Sequence, residues 1–239
     1  MRMLGIVAAL LSTAVAAQDQ PDPVEIFRAA AERLEQADAF SVHIEKVFDV
    51  ILVDGMKVQY SGAADVVHSR RDGLFIDYGD DLSAKRFWFD GKAVTLLDEL
   101  ANIYVSVPFE GPVDEVIDGI EERHGVRLPL GGIFNRSLYR EFEERVVTAR
   151  HLGVHDVDGR ACDHLLFRGE SEDWQIWIDA DNGNLLCKSV VNFRDIEGSP
   201  QQAIVFSDWD FAPAVDAFTF RAELPDGALR TEFVQPAGE

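Results

Sequence analysis

Phe40 to His68 reads FSVHIEKVFDVILVDGMKVQYSGAADVVH, and its spacing decides the fold. Phe40, Val42, Ile44, Phe48, Val50 and Leu52 fall on one face of an extended segment, while Ser41, His43, Glu45 and Asp49 fall on the other. A period of two is the mark of a half-buried strand. Lys46 interrupts the apolar face. The partner segment carries Met56, Val58, Tyr60, Ala64 and Val66 on its even face. For both even faces to lie on one side of the sheet, paired residue numbers must sum to an even number. A loop of Asp54 and Gly55 alone cannot satisfy this. A loop of Val53, Asp54 and Gly55, with Gly55 left-handed, does.

Outward from this hairpin the pattern alternates between helix and strand. Before it, Pro23 to Ala37 gathers Val24, Ile26, Phe27, Ala30, Ala31 and Leu34 on one helical side, with Asp22 as N-cap. After it, Phe87 to Phe89, Asp90-Gly91 and Ala93 to Leu97 spell a second hairpin, and a strand from Ile103 ends at Pro108. A helical insertion at about 112–142 follows, with Val113, Val116, Ile117 and Ile120 as its stripe and Gly125 as a stop. Strands resume near Val146 and continue at Arg160–Arg168, Asp173–Asp179, Leu185–Phe193 and Gln201–Phe211. Phe218 to Phe220 is read as one more. The expected fold is mainly β with helices (α+β): a large curled antiparallel sheet, covered by an N-terminal helix and the central insertion.

The N-terminus reads as an export signal. Arg2 precedes an apolar run from Met3 to Leu11, and small residues from Ala14 to Ala17 lead to a polar start at Gln18. This order is that of a cleaved signal peptide over residues 1–17, with a single domain over 18–239 and a periplasmic destination. The apolar run is too short for a membrane anchor, and no later segment is long and apolar enough to span a bilayer. The chain of 239 residues has 43 acidic against 22 basic residues, a net charge of −21. Such a surface repels nucleic acid and anionic lipid headgroups.

Cross-strand register sorts the second run of strands. If Arg168 pairs with Asp173 and Ile178 with Leu185, then Leu165, Phe167, Trp174, Ile176, Ile178, Leu185 and Cys187 share one face. Cys162, His164, Arg168, Gln175, Trp177 and Lys188 share the other. On this register Cys162 and Cys187 point to opposite faces, so no disulfide is expected unless a bulge shifts the pairing by one residue. Asp163 points away from Cys162 and His164, so the three make no catalytic constellation. No enzyme activity is expected. Asp179, Asp181, Asn182 and Gly183 read as a turn rather than a calcium loop, because the glycine comes one place early. His43, His68, His124, His151 and His155 show no metal-ligand spacing and are read as surface residues. No metal or cofactor is expected.

Several stretches, taken in order, carry a resemblance. Asp90, Gly91 and Lys92 follow an aromatic strand and precede Leu96, Asp98, Val105 and Val107. Then come Val157, Asp158, Gly159, Cys162 and His164, followed by Trp174, Ile176, Trp177, Ile178 and Asp179, and finally Phe218, Phe220, Pro225 and Gly227. In this order the chain resembles an uncharacterised family of predicted periplasmic proteins, itself similar to the lipoprotein-localisation factors (LolA/LolB-like). The resemblance implies a half-open barrel whose concave face holds acyl chains beneath a helical lid. It also implies a latch: an arginine before the third strand that bonds lid carbonyls. Arg71 is the matching position, and Asp72 stands where the carrier has proline.

The concave lining expected is Phe40, Val42, Ile44, Phe48, Val50, Tyr60, Leu165, Phe167, Trp174, Ile176, Ile178 and Leu185, forming either an acyl pocket or a dry core under the helices. The function expected is a monomeric periplasmic carrier for a lipid or lipoprotein acyl chain. The alternative is an interaction or sensing module that binds another envelope protein.

Overall fold

The computed structural model describes residues 21–124, 138–216 and 218–232. The expected signal peptide (1–17) and part of the insertion lie outside them. The chain order is α1 (Pro23–Gln36), β1 (Ala39–Ile51), β2 (Lys57–Ser69), β3 (Gly73–Asp80), β4 (Ala84–Phe89), β5 (Ala93–Asp98), β6 (Ile103–Pro108), α2 (Val113–His124) and α3 (Leu138–Arg145). Then follow β7 (Thr148–Val157), β8 (Arg160–Arg168), β9 (Glu172–Asp179), β10 (Leu185–Phe193), β11 (Gln201–Asp210) and β12 (Leu229–Arg230).

All the strands join one 12-stranded sheet in the order β12-β6-β5-β4-β3-β2-β1-β11-β10-β9-β8-β7. Two meanders, β1–β6 and β7–β11, are therefore joined edge to edge through the antiparallel pair β1·β11. The sheet is large, open and curled, as the alternating pattern implied. Every strand pairing is antiparallel except the short parallel contact of β12 with β6.

The parity reading of the first hairpin holds. Ile51 pairs with Lys57 and Phe40 with His68. Leu52 and Met56 close the turn, and Gly55 has φ +82°. Asp22 caps α1, its carboxylate accepting from the Val24 amide at 2.9 Å. One expected strand does not form. Phe218–Phe220 forms a turn held by Asp216 rather than a strand, and the terminal strand comes later, at Leu229–Arg230. β3, unmarked in the sequence reading, completes the first meander.

One main hydrophobic core lies on the concave side. It joins Phe27, Ala30 and Leu34 of α1 and Val113, Val116, Ile117 and Ile120 of α2 to inward residues from β1 to β11. Phe142 of α3 packs against Phe27, Phe167 and Trp174, with ring centroids 4.2, 4.7 and 5.5 Å apart. Apolar stripes on short helices gain most of their stability from such tertiary burial.

Candidate functional site

The concave face divides into two halves. In one, Phe40, Val42, Ile44, Leu165, Phe167, Ile176 and Ile178 are buried under the helices. These expected lining residues belong to a dry core. In the other half, register sets Phe48 beside Tyr60 on β2 and Gln202 on β11, and the row continues through Val191 to Trp174 and Phe167. Phe48, Val50, Tyr60 and Trp174 remain only partly covered. The Phe48 and Tyr60 rings stand 5.9 Å apart. This half leaves inward-facing apolar surface partly uncovered.

Leu185 does not belong to the lining. Leu186, not Leu185, pairs with Ile178, and the register shifts between Leu186 and Lys188. Leu186 takes the inward place in the core. The expected pairing was one residue off because the hairpin turn closes on Asp179 and Leu185, and the β-bulge at Cys187 comes only after that offset.

The same offset at the turn overturns the reading of the cysteines. It turns Cys187 to the convex face, where it packs with Cys162, Trp177 and Val157. Cys162 and Cys187 form a disulfide, with Cα atoms 6.9 Å apart. The sulfur that a nucleophile would require is thus covalently engaged. Around the bridge, His164 stacks on Trp177 at 4.0 Å, its Nε2 lies 3.1 Å from Gln175 Oε1, and its Nδ1 lies 2.9 Å from His155 Nδ1. His151 Nε2 lies 2.7 Å from Asp163 Oδ1. Only cross-strand register brings these histidines together. No group of three or more metal-ligating side chains occurs among the described residues. The Asp179 carboxylate accepts from the Asn182 amide at 3.0 Å, as in an ordinary turn.

Arg71 is exposed, and its neighbour fills the latch position expected of it. Arg70 Nε donates to the Ala37 carbonyl at 2.7 Å, and Nη2 donates to the Leu34 and Glu35 carbonyls at 2.9 and 2.7 Å. Nη1 pairs with Asp114 in the first turn of α2. The last carbonyls of a helix have no partners within it and carry partial negative charge, so a guanidinium there satisfies both needs. Arg70 follows β2 directly, and the tight turn from Ser69 to Asp72 aims it at the helices. His68, read as a surface residue, is instead buried and stacked on Phe40 at 4.8 Å.

The family model for predicted periplasmic protein (DUF2092) matches residues 24–234. The chain belongs to this family. Its location is thereby the periplasm, an oxidising compartment in which a disulfide persists.

Among solved structures, the DUF2092 chain is similar to LprF from Mycobacterium bovis, at 16% identity and TM-score 0.51, covering 87% of this chain and 98% of that one. It is also similar to an uncharacterized conserved protein from Thermus thermophilus, at 11% identity and TM-score 0.49, covering 87% and 97%. A LolA superfamily protein from Nitrosomonas europaea matches at 12% identity and TM-score 0.36, covering 83% and 96%. No curated protein matches. At such identities the likeness concerns the fold, and function must be argued from the site.

Proposed function

We propose that this periplasmic protein binds the acyl part of a lipid or lipoprotein on the half-open end of its concave face. The observation that supports this reading is the row Phe48, Val50, Tyr60 and Trp174, inward-facing yet only partly covered, beside a core already sealed by three helices. Each methylene buried there contributes about 0.8 kcal/mol. A chain burying about ten would gain about 8 kcal/mol, before the cost of ordering it.

The test is native isolation from the periplasm followed by solvent extraction, mass spectrometry and titration with a fluorescent fatty acid. The reading expects a copurifying lipid, and a probe affinity that falls when Trp174 or Phe48 is replaced by glutamate. A lipid-free extract together with no probe binding would sink it.

A second reading is supported at the tip of the first hairpin. Leu52, Val53 and Met56 are exposed there, Ile196 is exposed on the β10–β11 turn, and Lys57 Nζ donates across to the Ser199 carbonyl of that turn at 3.2 Å. Exposed apolar side chains on two turns joined in this way suit docking to another envelope protein. Pull-down at rising salt separates it from charge-driven capture by the acidic surface, which salt screens.

A further inference from the structure

A buried cation lies on the inward face. Lys46 follows Ile44 and precedes Phe48 in the inward row of β1, and it is only 8% exposed. Its cross-strand partners are Gly62 on β2 and Ile204 on β11, neither of them acidic. Lys85, further round the same face, stands in register with Asp98. Among the described residues no hydrogen bond or ion pair reaches the Lys46 ammonium; its contacts are the rings of Phe48 at 4.5 Å and Tyr78 at 6.0 Å.

Asp80 lies one strand beyond Gly62, but its oxygens are committed elsewhere. Oδ1 accepts from the amides of Leu82 and Ser83 at 2.8 and 2.6 Å and from the Ser83 hydroxyl at 3.1 Å, and Oδ2 accepts from the Tyr78 hydroxyl. Burial pushes the Lys46 pKa down and the charge of Asp80 opposes this, as expected of a cation short of a close counterion. Aromatic faces attract a cation without neutralising it. A lysine can lay its stem along apolar surface and keep its head at the edge of that surface, and here the residue as a whole is only 8% exposed, with its ammonium over the Phe48 ring.

We propose that Lys46 is the head-group site of the concave face: the guest is an acidic amphiphile whose carboxylate or phosphate pairs with the Lys46 ammonium while its hydrocarbon lies along Phe48, Tyr60 and Trp174. This rests on the acyl-binding reading above. The acidic exterior, at net charge −21, opposes docking on an anionic bilayer, so the guest is taken as a single molecule. Long-range repulsion is screened beyond about 8 Å at physiological salt, and the contact at Lys46 acts within that distance.

The test compares oleate, oleyl phosphate and methyl oleate, each titrated into the full chain freed of lipid, for wild type, Lys46→Met and Lys46→Arg. Methionine suits the apolar surroundings, and thermal melting confirms that each variant is folded. Wild type should prefer an acid over the ester by roughly tenfold or more, the scale of a charge-assisted contact. Lys46→Met should erase that ratio and Lys46→Arg keep it. The tighter of the two acids identifies carboxylate or phosphate as the natural head group.

Equal binding of acids and ester by wild type, or an undiminished ratio in Lys46→Met, overturns the head-group assignment alone. No binding of any of the three overturns the acyl-binding reading and this inference with it.

Discussion

Arg70 and Asp114 join the β2–β3 turn to the first turn of α2 through an ion pair whose side chains are only 13% and 11% exposed. Because the same guanidinium holds three carbonyls at the end of α1, one residue ties α1 and α2 to the sheet.

Replacing Arg70 by alanine should therefore be costly. It takes the guanidinium away from a mostly buried Asp114 and frees the α1 carbonyls, for a loss of about 3 kcal/mol in urea denaturation. Arg71→Ala should stay within about 0.5 kcal/mol, as exposed substitutions do. Equal effects of the two would contradict the assignment of the latch to Arg70.

The bond between Cys162 and Cys187 closes a loop with a sequence separation of 25. Constraining such a loop in the unfolded chain stabilises by about 3 kcal/mol. Cys162→Ser/Cys187→Ser should lower the urea midpoint accordingly, and thiol titration of the denatured, unreduced protein should find no free cysteine. Two reactive thiols in protein isolated from the periplasm would count against the bridge.

Gly73 opens β3 where the backbone of β4 and the ring of Phe220 close in. A Cβ there would lie 2.1 Å from the Phe89 carbonyl oxygen and 2.7 Å from Phe220 Cγ. Gly73→Ala should cost about 2 kcal/mol or more through overpacking. Gly73→Ala combined with Phe220→Ala should not recover it, since the carbonyl contact remains. Full recovery would place the strain in the ring alone.

His164 sets a pH dependence. Burial holds its imidazole below the usual histidine value, the charges of His155, Lys188 and His151 act in the same direction, and the hydrogen bond with Gln175 opposes them. Its folded pKa is depressed, so its contribution is complete above the unfolded value of about 6.5 and is lost as pH falls toward the folded one. The urea midpoint should drop as pH falls below about 6.5, and less so in His164→Gln. Asp49 and Asp80 are also held below their ordinary values, but their losses come only in stronger acid. A pH response identical in His164→Gln and wild type would assign the drop to other groups.

What could be read in advance was whatever strict alternation determines. The three-residue turn at Val53–Gly55 followed from parity alone, and Asp22 announced the start of α1. The misread contacts between strands share one cause, because they depend on register that a shift of a single residue alters. A hairpin turn that closes on Asp179 and Leu185 exchanged Leu185 for Leu186 and brought two sulfurs to one face. The histidines at 155 and 164 meet only across β7 and β8. Arg70 and Arg71 differ in sequence by nothing that composition reveals, and the turn geometry alone selects between them. Lys46 was visible as a break in the apolar row, but its missing counterion became evident only once Gly62 and Ile204 were placed beside it.

The two outer strands have a bearing on solubility. An uncurled ladder end invites another molecule to extend it. At β7 the pairing with β8 is interrupted between His151 and Val154, and Gly153 turns the chain at φ +105°, so no long straight run is offered. At β6 the parallel stub of β12 occupies Asn102 and Tyr104, and the Arg230 guanidinium donates to the Ser106 carbonyl at 3.0 Å. Neither end presents a clean template, and growth into fibres by strand addition is disfavoured even where the protein is crowded at high local abundance.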